Sequence, residues 1–525
     1  MSGHLPWPKP ALGLLSLMLL GCEQGQPPLA RTAAPDSPAE LALTVGVDPT
    51  SIKLDPSQSM SSVISPSAGT IDDQLPFAPD GSQLASIAWR TWIYTDVGSK
   101  RTRLGYLRAG QIVDAQGPAI ENEGCEGGWW RINPRGFVCV GKGATLDLRH
   151  PLVQALKRRA VRGKGFPYHY AKSKSRPPER YFRLPTLAQM IEVEGRDVVD
   201  RGAAFQLWAE RTGLAQRWDI AADPPAFLAQ GQSLEKPYGT KSPLRFQVHA
   251  GRASTDSGFA LLETFSHNGR VFGLSSELDL LALDRLDLVQ EPTDFSLHFS
   301  PEQSLPVAFV AEGATALWRR NERGMFVAAG EQRQRRGYHL TGGRAPGGML
   351  ETSEGLWLAA QSVRVIEPRS SYPSVATGTR KWIDVSVGMQ TLVAYEGQRP
   401  VFATLVSTGR GGLGDEGESD PDGERTVRGT FMIYEKSVSS TMDGDEDRAD
   451  SYELQDVPHV QYFHRGFALH GAYWHDDFGR KRSHGCINLA PQDAAWLFEW
   501  TDPEVPQGWH SALNKQRGTV VHVRY

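Results

Sequence analysis

Cysteine is scarce in this chain: four among 525 residues, at Cys22, Cys125, Cys139 and Cys486. Four are too few for a disulfide scaffold at this length, so buried cores must carry the fold. An excess of one charge is also lacking. The 56 Lys and Arg against 60 Asp and Glu leave a formal net charge of −4, without the basic surface that a nucleic-acid partner demands. Long hydrophobic runs are missing too. The stretch ALGLLSLMLLGC, which follows Lys9, is about a dozen residues long, short of the roughly 20 needed to span a bilayer. What remains is 40% hydrophobic and 22% charged, a soluble, globular composition long enough for two to four domains.

The short apolar run suits the hydrophobic region of a signal peptide. Its ending, Leu19-Leu20-Gly21-Cys22, resembles a bacterial lipobox, in which the cysteine is acylated and becomes the mature N-terminus. An ordinary secretory signal and an uncleaved anchor are the alternatives, and all three export the chain. The lipobox reading implies a periplasmic, membrane-anchored lipoprotein. Glu23, rather than an aspartate, follows the cysteine, which points to the outer membrane. Export also orders the remaining cysteines. Cys125 and Cys139 lie 14 apart in GCEGGWWRINPRGFVCV, and an oxidising compartment favours a disulfide between them. Cys486 is then an odd thiol in an exported protein.

The expected fold is mostly β. Residues 1–22 read as the signal, and 23–85, rich in Pro, Ser, Ala and Gln, as a disordered tether. Short alternating runs at 86–148 resemble bacterial SH3-like barrels, which hold wall or protein ligands. Trp129 and Trp130 there are core or ligand-stacking residues. The basic segment LKRRAVRGKGFPYHYAKSKSRPPER reads as a solvated linker, with anionic lipid or wall polymer as its other possible contact. The rest of 149–370 is β-leaning, with a weak repeat: SSELDLLALDRLDLV at 275–289 aligns with TSEGLWLAAQSVRVI at 352–366, suggesting two related small β modules. From 371 to 525, strand-length runs resume. The acidic runs at 409–425 and 443–450 lack EF-hand spacing and read as solvated loops.

Chemistry concentrates in FALHGAYWHDDFGRKRSHGCINLAPQDAAWLFEW, 467–500, which supplies His470, His475, His484 and Cys486. A thiol becomes a useful nucleophile beside an imidazole or a helix N-terminus. APQDAAWLFEW predicts a helix with Pro491 in its first turn, whose dipole would favour a nearby thiolate. His484 and Cys486, at i and i+2, would share one face of an extended strand, with Gly485 admitting substrate and amides beside the nucleophile available to an oxyanion. Two other readings compete: zinc on three histidines and a cysteine, with uncommon ligand spacings, and a buried structural thiol.

The segment His470-Gly471, followed by Ser483-His484-Gly485-Cys486-Ile487-Asn488, resembles the signature of the L,D-transpeptidase (YkuD-type) family, and 380–525 as a whole resembles its catalytic domain. Val406-Ser407-Thr408-Gly409 is similar to a family element. Thr426 to Phe431 keeps part of the family's Thr-Pro-x-Gly-x-Phe, without the proline. The resemblance implies a β-sandwich-like domain and cysteine-based acyl transfer on peptidoglycan stem peptides, forming 3→3 cross-links. By the same resemblance Cys486 is the nucleophile, His470 the principal base and His484 an assistant. Ser483 would orient an imidazole, the Gly485 and Cys486 amides would form the oxyanion hole, and Gly471, Tyr473, Trp474 and Asn488 would shape the substrate groove. No metal or organic cofactor is implied. Hydrolysis of the same thioester (an L,D-carboxypeptidase), attachment of an envelope protein through a lysine, and a non-catalytic wall-binding protein are the alternatives.

Overall fold

The computed structural model describes residues 82–525 apart from 159, 241–244, 293–295, 311–312, 334, 417–423 and 444–451. The chain divides into two units, 1–70 and 71–525. The expected signal, Cys22 and most of the tether lie outside the described residues, as do the hearts of both acidic runs. The first described strand is Gln83–Ser86, so ordered structure begins inside the 23–85 tether. Most of the described structure is strand, with five α-helices among the described residues. None of these helices is long and apolar enough to cross a membrane.

The C-terminal part is built on two sheets. One runs Leu297–His298, Arg399–Leu405, Thr391–Glu396, Lys381–Ser386, Val520–Arg524, Arg425–Met432 and Gly412–Glu416 in spatial order. Its middle strands read as continuous apolar runs because both faces are covered. Successive side chains alternate between two cores. Ile383, Leu392, Ala394 and Phe402 point into a cluster with Leu469, Ile487, Leu489 and Leu497. Trp382, Val393, Tyr395 and Ala403 point the other way, onto Phe299, Val307, Phe309 and Ile366. The second sheet contains Glu435–Asp443, Glu453–His464, Phe467–Gly471 and Ile487–Leu489. The helix Pro491–Trp500 sits where APQDAAWLFEW predicts it, and buries Ala494, Ala495, Leu497 and Phe498.

The N-terminal strands form a small unit closed by antiparallel pairs, with a disulfide joining Cys125 to Cys139. Trp129 and Trp130 are both buried in it. The two repeat segments fold alike: Leu280–Ala282, a 3-10 turn, then Leu286–Leu288, and Trp357–Ala359, a 3-10 turn, then Arg364–Ile366. Between them and the first unit lie helices the sequence reading did not anticipate, Leu187–Glu194 and Val198–Arg211. Their signals were present. Thr186 and Gln189 form a capping box, and Val198, Gly202, Phe205 and Ala209 make one buried stripe. Nor is the basic segment a linker: it supplies the strand His169–Ser173, which pairs with Gly258–His267.

Backbone pairing stitches these units together. Gly105 and Tyr106 pair with Ala512 and Ser511, and Gly258 pairs with Leu454. At the junction, Asp456 is fully buried. It accepts from Arg108, next to the strand Arg103–Leu107, at 2.9 Å and from Ser439 at 2.6 Å, while its carbonyl accepts from the Tyr170 hydroxyl at 2.7 Å. Removing one partner of a buried ion pair strands the other charge. Arg108→Ala is therefore expected to cost about 3–5 kcal/mol, read as a lowered urea midpoint. Arg344→Ala, which breaks an exposed pair with Glu367, should leave the midpoint unchanged.

Candidate active site

Two strands set the site's frame. Phe467–Gly471 runs parallel to Ile487–Leu489, with Leu469 opposite Ile487 and His470 opposite Asn488. Cys486 directly precedes the second strand, in a bend, and packs in the same cluster as Ala468 and Trp474. Cys486 is the one free cysteine among the described residues.

Burial dominates the electrostatics. His470 is 2% exposed, and desolvation lowers its pKa to about 4, so the imidazole is neutral at physiological pH. Its Nδ1 lies 3.2 Å from the Gly471 carbonyl. A carbonyl only accepts, so Nδ1 carries the proton and Nε2 keeps the basic lone pair. Cys486 packs beside Ala468, Tyr462 and Trp474, and desolvation pushes its thiol up to about 11. The helix dipole does not offset this. The strand 487–489 separates Cys486 from Pro491, and the dipole's influence fades within a turn. The expected dipole-stabilised thiolate is thus replaced by a neutral thiol.

The Cys486 loop is braced rather than extended. Residues 484–486 form a bend, with Gly485 at φ +126, so the expected shared strand face for His484 and Cys486 is not formed. The Gly485 N–H donates to Ser483 Oγ at 3.1 Å, and Ser483 Oγ donates to the Cys486 carbonyl. Ser483 therefore holds the backbone instead of an imidazole, and the Gly485 amide is engaged there rather than facing an oxyanion. His484 turns outward, 2.7 Å from Arg410 Nη2 and stacked on Tyr452. Sequence reasoning missed Thr426. It is fully buried, donates to the Gly485 carbonyl at 2.8 Å, and accepts from the Gly409 N–H at 2.9 Å.

The expected groove residues divide. Trp474 lies beside His470, ring centroids 5.7 Å apart. Tyr473 does not face a groove: it is 3% exposed, stacks on Tyr170 at 4.1 Å and donates to the Gln455 carbonyl. Gly471 is buried against Pro458, where a Cβ would come within 2.9 Å. Asn488 is buried and bonded to His475 Nε2 at 2.9 Å, while His475 Nδ1 accepts from the Asp477 N–H. The Asn488 atom in that contact is Nδ2, and its buried Oδ1 has no hydrogen-bond partner. Among the described residues no group of three or more His, Cys, Asp or Glu is placed to hold a metal ion.

This arrangement, a free thiol directly before one strand and a neutral imidazole on its parallel neighbour, can perform acyl transfer. Residues 380–523 match the L,D-transpeptidase catalytic domain family, YkuD. No curated protein matches the chain. Among solved structures, a mutant of Enterococcus faecium L,D-transpeptidase is 20% identical, with a TM-score of 0.21. The alignment covers 30% of this chain and 55% of that one, so the chain spans little over half of that enzyme's length. The Mycobacterium smegmatis L,D-transpeptidase is 18% identical over 46% of this chain and 89% of its own, TM-score 0.22. L,D-transpeptidase 3 of Mycobacterium tuberculosis, in complex with a faropenem-derived adduct, is 20% identical over 36% and 79%, TM-score 0.22. The transpeptidase-type domain thus occupies the C-terminal quarter or so of the chain, and its match includes His470, Ser483, His484 and Cys486.

A thiol raised by desolvation reacts as thiolate only at high pH. Alkylation of Cys486 by iodoacetamide is expected to stay slow and flat from pH 6 to 8 and to keep rising beyond pH 9. Thr426→Val, which removes the clamp on Gly485, should raise the rate at neutral pH by admitting water to the bend. Mass spectrometry of the Cys486 peptide measures both.

Proposed function

We propose that the chain is a peptidoglycan L,D-transpeptidase that uses Cys486 as nucleophile and His470 as base. The observation that carries this reading is a neutral imidazole with a basic Nε2 on one strand, paired in parallel with the strand that directly follows the one free thiol of the described residues. His470 Nε2 takes the thiol proton as sulfur attacks the carbonyl of the L-centre joined to a terminal D-residue. The same proton passes to the departing amine, leaving a thioester. An amine from a neighbouring stem then attacks, gives its proton to Nε2, and frees the cysteine with a 3→3 cross-link formed. Because burial keeps both groups neutral, proton removal accompanies attack rather than preceding it. With the Gly485 N–H given to Ser483, the Cys486 N–H is the donor of that pair left for the oxyanion.

The wider reading follows from the sequence. The lipobox-like ending anchors the chain through Cys22 in the periplasm, and the tether gives the catalytic domain reach into the wall. The small β units, read as SH3-like, would hold wall polymer nearby. The role proposed for His484 is structural, through Arg410 and Tyr452, in keeping with its outward position.

Two measurements test this. Digests of wall polymer incubated with the protein should contain 3→3-linked dimers; tripeptides alone would replace the transferase with an L,D-carboxypeptidase. His470→Ala should slow acylation on the order of 10²-fold or more with the fold retained, and His484→Ala should cost less. The lowered His470 pKa keeps the base unprotonated further into acid, so the acid limb of kcat/KM should fall well below pH 6.5. A limb near 6.5, or full activity in His470→Ala, contradicts the assignment.

A further inference from the structure

The basic segment lines a second feature, away from Cys486 and His470. A cleft of about 1220 Å³ opens between residues 158–174 and the helix Val198–Arg211. It belongs to the helical middle unit and contains neither Cys486 nor His470. Its walls combine two chemistries. Trp208, Phe205 and Trp218 supply aromatic surface, and Trp208 is 46% exposed although it sits on a helix with a full buried stripe of its own. Five cations line the same cleft, Arg158, Lys164, Lys174, Arg201 and Arg217, against three carboxylates, Asp284, Asp287 and Glu291. One of those carboxylates, Asp284, is already bonded to the buried Arg270 at 2.7 Å. Arg201 is paired with Glu194 at 3.0 Å and Arg158 with Glu263 at 3.4 Å, which leaves Lys164, Lys174 and Arg217 against Asp287 and Glu291, a small positive excess.

Concave shape argues against a flat bilayer as the occupant. Aromatic faces suit the C–H faces of pyranose rings, while the rim cations suit carboxylates along a polymer. The cleft is also coupled to the reaction domain through one strand. On His169–Ser173, His169 stacks on Trp218 at 4.7 Å on the cleft side. From the opposite face, Tyr170 stacks on Tyr473 and Lys172 Nζ donates to the Trp474 carbonyl at 3.1 Å. We infer that this cleft is a glycan-binding site that holds a carboxylate-bearing strand of wall polymer while the thiol site works on its peptides. Only the identity of the polymer rests on the function proposed above.

The test uses the full-length Cys486→Ala chain, which cannot turn substrate over, and follows Trp fluorescence. The probes are soluble glycan oligomers carrying stem peptides, the same oligomers stripped of peptide, and phosphatidylglycerol-containing vesicles. Trp208→Ala is expected to weaken oligomer binding about tenfold or more, and Arg217→Ser to weaken it with a smaller salt dependence. Stripped oligomers should bind more weakly and lose most salt sensitivity. Both substitutions lie on exposed side chains, and in the Cys486-bearing chain they should leave turnover of a free tetrapeptide unchanged. Oligomer binding indifferent to both substitutions overturns the inference. So does Trp208-dependent binding to vesicles in place of oligomers, which makes the occupant a lipid. If oligomers bind through Trp208 while no transpeptidation is found, the catalytic reading fails and this one stands.

Discussion

The parallel pairing of Phe467–Gly471 with Ile487–Leu489 is the constraint on which the site depends. Parallel neighbours need a crossover of a dozen or more residues, usually helical. Here the crossover is residues 472–486, without a helix, so something else must hold its register. The Val406–Arg410 segment does so through main-chain bonds. Gly479 donates to Val406, Arg482 and Ser483 donate to Thr408, and Arg410 donates to Ser483. Ser407 and Asn488 exchange both of their main-chain bonds at 2.8 and 2.9 Å. A slip of one residue would break that exchange and turn Asn488 to the far face of the ladder, away from His470.

That frame explains why a half-buried thiol can be useful. Desolvation moves the thiol up and the imidazole down, so the two groups rest as a neutral pair. A neutral thiol is a poor target for oxidants. It reacts when a carbonyl and the His470 lone pair are both in reach. The cost is that the loop must be held rigidly, which Ser483 and the fully buried Thr426 do from opposite sides of Gly485.

The catalytic segment was legible because its chemistry is local. His470 and Cys486 fall within one stretch of sequence, and the helix that follows carries its proline in the first turn. What escaped reading was set from afar. Tyr473 is buried because Tyr170, some 300 residues upstream, stacks on it. The linker reading of 150–185 failed because the strand His169–Ser173 gains partners only from residues 258–261 and 286–288. The bend at 484–486 had a sequence signal in Gly485, whose positive φ a strand would not need, but two residues of alternation looked like strand. Thr426 stood out only as the first residue of the partly kept Thr-Pro-x-Gly-x-Phe element; its clamping role had no signal, since its partners Gly409 and Gly485 come from separate loops.

The central claim is that an acyl group passes through the sulfur of Cys486. The direct measurement is mass spectrometry of the intact chain quenched in acid during reaction with a disaccharide-tetrapeptide. The account predicts a mass gain equal to the donor less its terminal D-residue, located on the peptide that contains Cys486, labile to hydroxylamine, and slow to form in His470→Ala. An unmodified Cys486 during turnover, or an adduct on any other side chain, would contradict it.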